Sequence, residues 1–212
     1  MVGTQAGPDR HAWIEWAEAS AGVQSLGPIS DPYRLDDDTL VVRAQEGDTA
    51  AYGELVVRYQ PAMYRLALRL LDDPGEAEDA TQESFLSAWR RLRGYRGEAA
   101  FSSWMYRIVT NRCLNMVRSR RPATSLDGAA EEVAGPEARG PERGVEANEQ
   151  LGALRLALAR LPPDQRACWL LREGEGLSYS EIAAIVGGSP AAVRGRIHRA
   201  RRRLAEVMQP WR

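Results

Sequence analysis

The stretch LSYSEIAAIVGGSPAAVRGRIHRARRR, residues 177–203, carries its own start, stop and restart signals. Ser178-Tyr179-Ser180-Glu181 has the Ser-x-x-Glu form of a capping box, in which Ser178 accepts from the third backbone amide and Glu181 reaches back. The helix it opens holds Ile182, Ala183, Ile185 and Val186. Gly187-Gly188 breaks that helix, Ser189 caps the next, and Pro190 takes the first helical position, where a missing N–H is tolerated. Val193, Ile197, Ala200 and Leu204 then recur as a stripe to be buried. The pattern is a helix-turn-helix.

What the second helix shows to solvent is cationic. Arg194, Arg196, Arg199, Arg201, Arg202 and Arg203 fall within ten residues, and guanidiniums at that density repel one another unless phosphates neutralise them. A helix of this size fits the DNA major groove, where arginine can hold guanine through two acceptors. The N-terminal half would read bases and later turns would hold backbone, which makes Arg194, His198 and Arg199 the base-reading candidates. The bland alternative is a solvated basic face; the complete caps and turn in front of the helix favour DNA.

The rest of the chain bounds what this motif serves. Its 212 residues, 44% hydrophobic and 27% charged, suffice for two small domains with real cores. The net charge of -1 hides an uneven distribution. Residues 122–149 hold 2 basic and 7 acidic side chains, whereas residues 150–212 hold 11 and 5. All 28 cations are arginine, as composition bias alone would give. Cys113 and Cys168 are the only cysteines, each with helix-like neighbours, so a disulfide framework or a zinc site is not expected. No run reaches the apolar length of a membrane span and no secretory leader is visible, so membrane insertion is not expected and the protein is read as cytoplasmic.

Periodicity upstream is helical throughout, with no alternating strand pattern, and the fold class read from it is all-α. Residues 1–35 form an extension without a sustained period, holding a small patch of Trp13, Ile14 and Trp16. From Asp36, Leu40, Val41 and Ala44 recur at helical steps. Gly47-Asp48 interrupts them, Tyr52, Leu55, Val56 and Tyr59 follow, and a long helix runs through Met63, Leu66, Ala67, Leu70 and Leu71. Asp72-Asp73-Pro74-Gly75 stops that helix, another runs from about Glu76 to Trp89, and a third begins near Ser102. Residues 122–149 lack the large apolar groups that would offset the entropy of ordering, and read as a flexible acidic linker. Leu151, Leu154, Leu158 and Leu161 then open a second helical domain. The expected domains are therefore 36–121 and 150–212.

The first domain has a chemically distinct stretch of its own. Between Arg93 and Arg112 the chain interleaves Tyr95, Phe101, Trp104 and Tyr106 with Arg93, Arg96, Arg107 and Arg112. Rings among cations suit single-stranded DNA, because unstacked bases lie on rings while phosphates meet arginine. For Phe101 and Trp104 the spacing fits helix-core packing as well as an exposed platform; Tyr95, in the loop Arg93-Gly94-Tyr95-Arg96-Gly97, is expected at the surface.

The chain resembles the extracytoplasmic-function sigma factors of bacterial RNA polymerase over roughly residues 36–121 and 150–209. The first part is similar to sigma region two in Leu40-Val41-Val42-Arg43-Ala44-Gln45-Glu46-Gly47-Asp48, in Ala77-Glu78-Asp79-Ala80-Thr81-Gln82-Glu83-Ser84-Phe85 and in Phe101-Ser102-Ser103-Trp104-Met105-Tyr106-Arg107-Ile108-Val109-Thr110-Asn111. The second part resembles region four in Leu161-Pro162, in Leu177-Ser178-Tyr179-Ser180-Glu181-Ile182-Ala183 and in Val193-Arg194-Gly195-Arg196-Ile197-His198-Arg199-Ala200-Arg201. Gly195 departs from the small hydroxyl residue many members carry, which weakens the helix locally by about 0.5 to 1 kcal/mol.

The resemblance implies a sigma region two bundle and a region four helix-turn-helix joined by the linker. Asp79, Gln82, Glu83 and Phe85 would dock on the beta-prime coiled coil of core RNA polymerase, with the beta flap as a further contact. Tyr95, Arg96, Phe101, Trp104, Asn111 and Arg112 would capture a flipped base of the promoter minus-ten element. Ser189, Arg194, Arg196, His198, Arg199 and Arg201 would read the minus-thirty-five element. An anti-sigma factor is a possible partner, and no cofactor or metal is implied. The rival reading is a helix-turn-helix regulator that does not bind core polymerase. Catalysis is not expected: His11 and His198 are the only histidines, and no nucleophile with a base or phosphate-binding glycine loop is present.

Overall fold

The computed structural model describes residues 35–120 and 145–209, and every regular element among them is helical. The chain divides into two compact units, the first built on the helices before residue 121 and the second on those that follow residue 144. The expected N-terminal extension with Trp13, Ile14 and Trp16, and residues 122–144 of the expected linker, lie outside the described residues.

In the first unit, α1 (Asp37–Gln45) starts on Asp36, whose carboxylate accepts from the Thr39 amide at 2.7 Å. Gly47 takes a φ of +101°, a conformation that disfavours side chains, and lets the chain turn at once into the next cap. That cap is Asp48, which accepts from the amides of Ala50 and Ala51 at 2.9 and 3.0 Å and pairs with Arg43 at 2.7 Å. It opens α2 (Thr49–Leu71), which at 1.5 Å per residue is about 34 Å long.

Pro61 lies inside α2, yet the helix runs unbroken from Thr49 where the sequence suggested a separate earlier segment. Its continuity comes from tertiary packing: Leu55, Met63, Leu66 and Ala67 are wholly buried on both sides of the proline. Asp72, at a φ of +57°, ends the helix, and Asp73 caps α3 (Pro74–Arg91) through the Glu76 amide at 2.8 Å. The buried face of α3 is made of small residues, Ala77, Ala80, Thr81, Ser84 and Ala88, with Phe85. The hydroxyls of Thr81 and Ser84 return to the carbonyls of Ala77 and Ala80 at 2.7 and 2.6 Å, so no polar group is orphaned there. A short 3₁₀ turn (Leu92–Gly94) and a loop lead to α4 (Phe101–Ser119). α2 packs against α1, α3 and α4, and α3 against α4.

The second unit contains α5 (Val145–Ala159), α6 (Pro163–Glu173), α7 (Tyr179–Val186) and α8 (Pro190–Val207). α5 begins inside the residues read as linker to 149, because Val145 to Gln150 is rich in good helix formers once the glycines and prolines before it end. Leu154, Leu158 and Leu161 of the leucine stripe are buried; the side chain of Leu151 lies outside the described residues. α8 packs on α6 and α5 through Val193, Ile197, Ala200 and Leu204, none more than 2% exposed. No described helix is long and apolar enough to cross a membrane. Cys113 in α4 and Cys168 in α6 are both buried, and burial pushes their thiols up to about 12 and about 11.

Candidate nucleic-acid interface

The helix-turn-helix has the local geometry its sequence announces. Ser178 Oγ accepts from the Glu181 amide at 3.2 Å while the Glu181 carboxylate accepts from the Ser178 amide at 2.8 Å, closing the capping box. Those bonds, the Ser178 side chain first, hold the Glu181 carboxyl below its ordinary range. Gly187 and Gly188 both have positive φ, 78° and 107°, so the turn needs glycine at each. Ser189 Oγ accepts from the Ala192 amide at 3.2 Å and starts α8.

On α8 the expected DNA-facing residues fall into different situations. Arg194, His198 and Arg199 are exposed. The Arg194 guanidinium lies 5.6 Å from the centre of the Tyr179 ring, which also carries Arg172 at 4.8 Å. Cation–π contact with this ring holds the Arg194 side chain at the N-terminal half of α8. Arg196 is half-buried and reaches Cys168. Arg201 is tied to Glu173 at 2.5 Å, and Arg202 to Glu206 at 3.3 Å. The density of guanidiniums on this helix is thus partly neutralised by the protein's own carboxylates, which the charge pattern alone did not reveal.

The aromatic stretch gathers into one cluster at the junction of the 3₁₀ turn and α4. The Tyr95 ring stands 5.0 Å from Trp104 and meets Phe101 edge-on at 6.1 Å, while Phe101 and Trp104 lie 5.8 Å apart. Tyr59 of α2 joins from behind, 5.4 Å from Phe101, and donates its hydroxyl to Asp37. Phe101 is 2% exposed. The ambiguity left open by its spacing therefore resolves toward the core: it is the floor on which the half-buried Tyr95 and Trp104 rest. Burial, and then the Asp38 and Asp37 carboxylates, push the Tyr95 phenol above its ordinary value and keep it neutral.

Beside Tyr95 and Trp104 is a shallow, largely open depression of about 460 Å³, lined also by Arg90, Arg91 and Gly94. The two arginines end α3 and were not among the residues singled out from sequence; their place directly before the Gly94 turn was the available signal. Arg96 is exposed in the loop beyond the pocket. Asn111 and Arg112 are exposed on α4 but do not line it, since seven residues of helix put Asn111 about 10 Å along the axis from Trp104.

The remaining candidates lie on α3. Asp79 and Gln82 are exposed, Glu83 is half-buried, and Gln82 donates to Glu78 at 3.1 Å. Phe85 is 6% exposed, so its ring belongs to the core and supports the face from inside. Next to Glu83 the face carries Leu86, 51% exposed, an apolar neighbour missed in the acidic pattern. The far end of α3 is fixed by Tyr52, which donates to the Phe85 carbonyl at 2.6 Å and meets Trp89 with ring centres 4.8 Å apart at a tilt.

Comparison with known proteins agrees with this geometry. Residues 55–123 match the family model for Sigma-70 region 2, and residues 151–204 match that for Sigma-70, region 4. The RNA polymerase sigma-H factor of Pseudomonas aeruginosa is 38% identical over 183 residues, covering 82% of this chain and 94% of that protein. The ECF RNA polymerase sigma-E factor of Salmonella typhimurium is 40% identical over 191 residues, covering 84% and 96%. Among solved structures, CnrH in complex with the cytosolic domain of CnrY is similar at a TM-score of 0.63 and 27% identity, over 82% of this chain and 99% of that one. With both family regions in the expected order, and relatives this similar along most of its length, the chain belongs to the sigma-70 family of RNA polymerase sigma factors, in its ECF group.

Proposed function

We propose that this sigma factor binds core RNA polymerase through the acidic outer face of α3 and divides promoter recognition between its two units. Asp79 and Glu83 offer carboxylates at one-turn spacing to a basic partner surface, with the Gln82 amide beside them and buried Phe85 behind. In the second unit, Arg194, His198 and Arg199 read bases of the duplex minus-thirty-five element, while Ser189, Arg196 and Arg201 contact its backbone. In the first, Tyr95 and Trp104 receive an unstacked base of the minus-ten element, with Phe101 beneath and Arg96 toward the phosphates. Asn111 and Arg112 follow the strand along α4. Flipping a base costs a few kcal/mol, and stacking on rings returns about 1 to 3 kcal/mol per base. The protein works in the cytoplasm beside the polymerase. CnrH was solved with the cytosolic domain of CnrY, and a protein partner of that kind for this chain is part of the proposal.

The observation that carries the reading is that Tyr95 and Trp104 line one open depression together with Arg90 and Arg91, bringing together the rings and cations that an unstacked base with flanking phosphates requires. Open-complex formation with core polymerase on duplex and pre-melted bubble templates tests it. Tyr95→Ala should fail on duplex and recover on the bubble, and reversing Asp79 and Glu83 to Arg should weaken core binding with the fold intact. A bubble that left Tyr95→Ala defective, or unchanged core affinity after the charge reversal, would overturn the corresponding assignment.

A further inference from the structure

The Tyr95 loop is held from a helix far away in sequence. Gln45, the last residue of α1, donates both protons of its side-chain amide, one to the Leu92 carbonyl at 2.9 Å and one to the Tyr95 carbonyl at 2.7 Å. Both partners are acceptors only, so the orientation of the amide is fixed by chemistry. Those two carbonyls bracket the 3₁₀ turn that forms the pocket wall at Gly94. The Leu92 carbonyl also accepts the Tyr95 amide at 3.0 Å, and the Tyr95 hydroxyl donates to the Ala99 carbonyl at 2.5 Å. Tyr95 is thus fixed at its amide, its carbonyl and its hydroxyl, and only the carbonyl is held by another helix. Residues 95–100 have no regular structure and, apart from the half-buried Tyr95, are exposed. The Gln45 amide ties the Leu92 and Tyr95 carbonyls to α1.

We infer that Gln45 is a positioning residue for base capture: it holds the Tyr95 loop in its base-receiving shape before DNA arrives, so that ordering the loop is not charged against strand opening. The inference rests on the proposed role of Tyr95 and goes beyond it by assigning the pre-organisation to one side chain of α1. A pre-ordered site binds more tightly because less conformational freedom is lost on binding.

Gln45→Met keeps the length of the side chain and removes both donors, while Gln45→Glu keeps the shape and turns an oxygen toward the two carbonyls. Each is measured beside the unaltered protein and Tyr95→Ala, in full-length protein with core polymerase. The expected result is normal core binding, duplex opening slowed about tenfold by the loss of two neutral hydrogen bonds, and recovery on a bubble template. Amide exchange should rise across residues 93–100 and stay unchanged in α2 and α8. Gln45→Glu should be at least as defective as Gln45→Met. If Tyr95→Ala is defective while both Gln45 variants open duplex normally, the positioning role is overturned and the pocket reading stands. If Tyr95→Ala is itself normal, both fall. Loss of core binding, or raised exchange throughout the first unit, would make Gln45 a general structural residue and overturn the inference as well.

Discussion

The helix-turn-helix and the aromatic pocket solve similar problems of presentation with opposite kinds of contact. In α7 and α8 the bonds that set the geometry span three residues: Ser178 with Glu181, and Ser189 with Ala192. In the pocket, local bonds from Tyr95 to Leu92 and Ala99 are joined by contacts that span tens of residues, the hydrogen bond from Gln45 to Tyr95 and the ring contact of Tyr59 with Phe101. A surface built on local bonds persists as long as its two helices do. One built on distant bonds depends on the packing of a whole unit, and can be loosened without being unfolded.

The contrast is broken most severely by Phe101→Ala. The ring is 2% exposed beneath Tyr95 and Trp104, and its loss should destabilise the first unit by about 3 to 5 kcal/mol. Thermal unfolding should show an early transition for that unit, while duplex binding by the second unit is spared. A single shifted transition with both activities lost would mean that the two surfaces are not independent.

Arg199→Ala should cost about 1 to 3 kcal/mol of duplex affinity and relax specificity at one base position. Binding to variants of the upstream element measures this, and some altered sequence should partly restore it where a pre-melted bubble does not. Ser189→Ala removes the cap of α8 and should lower the stability of the second unit by about 1 kcal/mol, read from its denaturant midpoint. Open-complex formation on the pre-melted bubble should not change.

The smallest effect concerns pH. Glu181 is held below its ordinary 4.5 by the Ser178 side chain and then the Ser178 amide, so its charged form is the one the fold favours. Its contribution is complete above pH 4.5 and fades as pH falls through the lowered value. The second unit of Glu181→Gln should accordingly lose less stability on acidification than the original, by a margin that solvent exposure keeps small.

The same contrast governs what could be read without coordinates. Every element of the helix-turn-helix was legible, because caps, breaking glycines and a buried stripe are all written within a few adjacent residues. The helical bundle was legible in outline, although the segment from Tyr52 to Tyr59 and the helix through Met63, read as successive pieces, are one helix that packing carries across Pro61. The pocket was legible only as an excess of rings and cations. Which ring would be floor and which wall depends on Tyr59 and Asp37, which lie far from Tyr95 in the chain, and Arg90 and Arg91 reach the pocket only because the 3₁₀ turn folds the end of α3 toward Trp104. Tyr179, carrying two guanidiniums, shows no signature beyond its place in the capping box.

The carboxylates that hold Arg201 and Arg202 have a consequence for how ionic strength controls the protein. Each phosphate neutralised by a free cation releases condensed counterions and steepens the dependence of affinity on salt by a logarithmic slope of about 0.9. An arginine that must first leave Glu173 or Glu206 strands that carboxylate, which recruits a cation from solution and cancels the release. If α8 docks on duplex as proposed, counting its arginines therefore overstates its ionic footprint: the salt slope should fall short of the number of guanidiniums, because Arg201 and Arg202 each give up a carboxylate to reach phosphate.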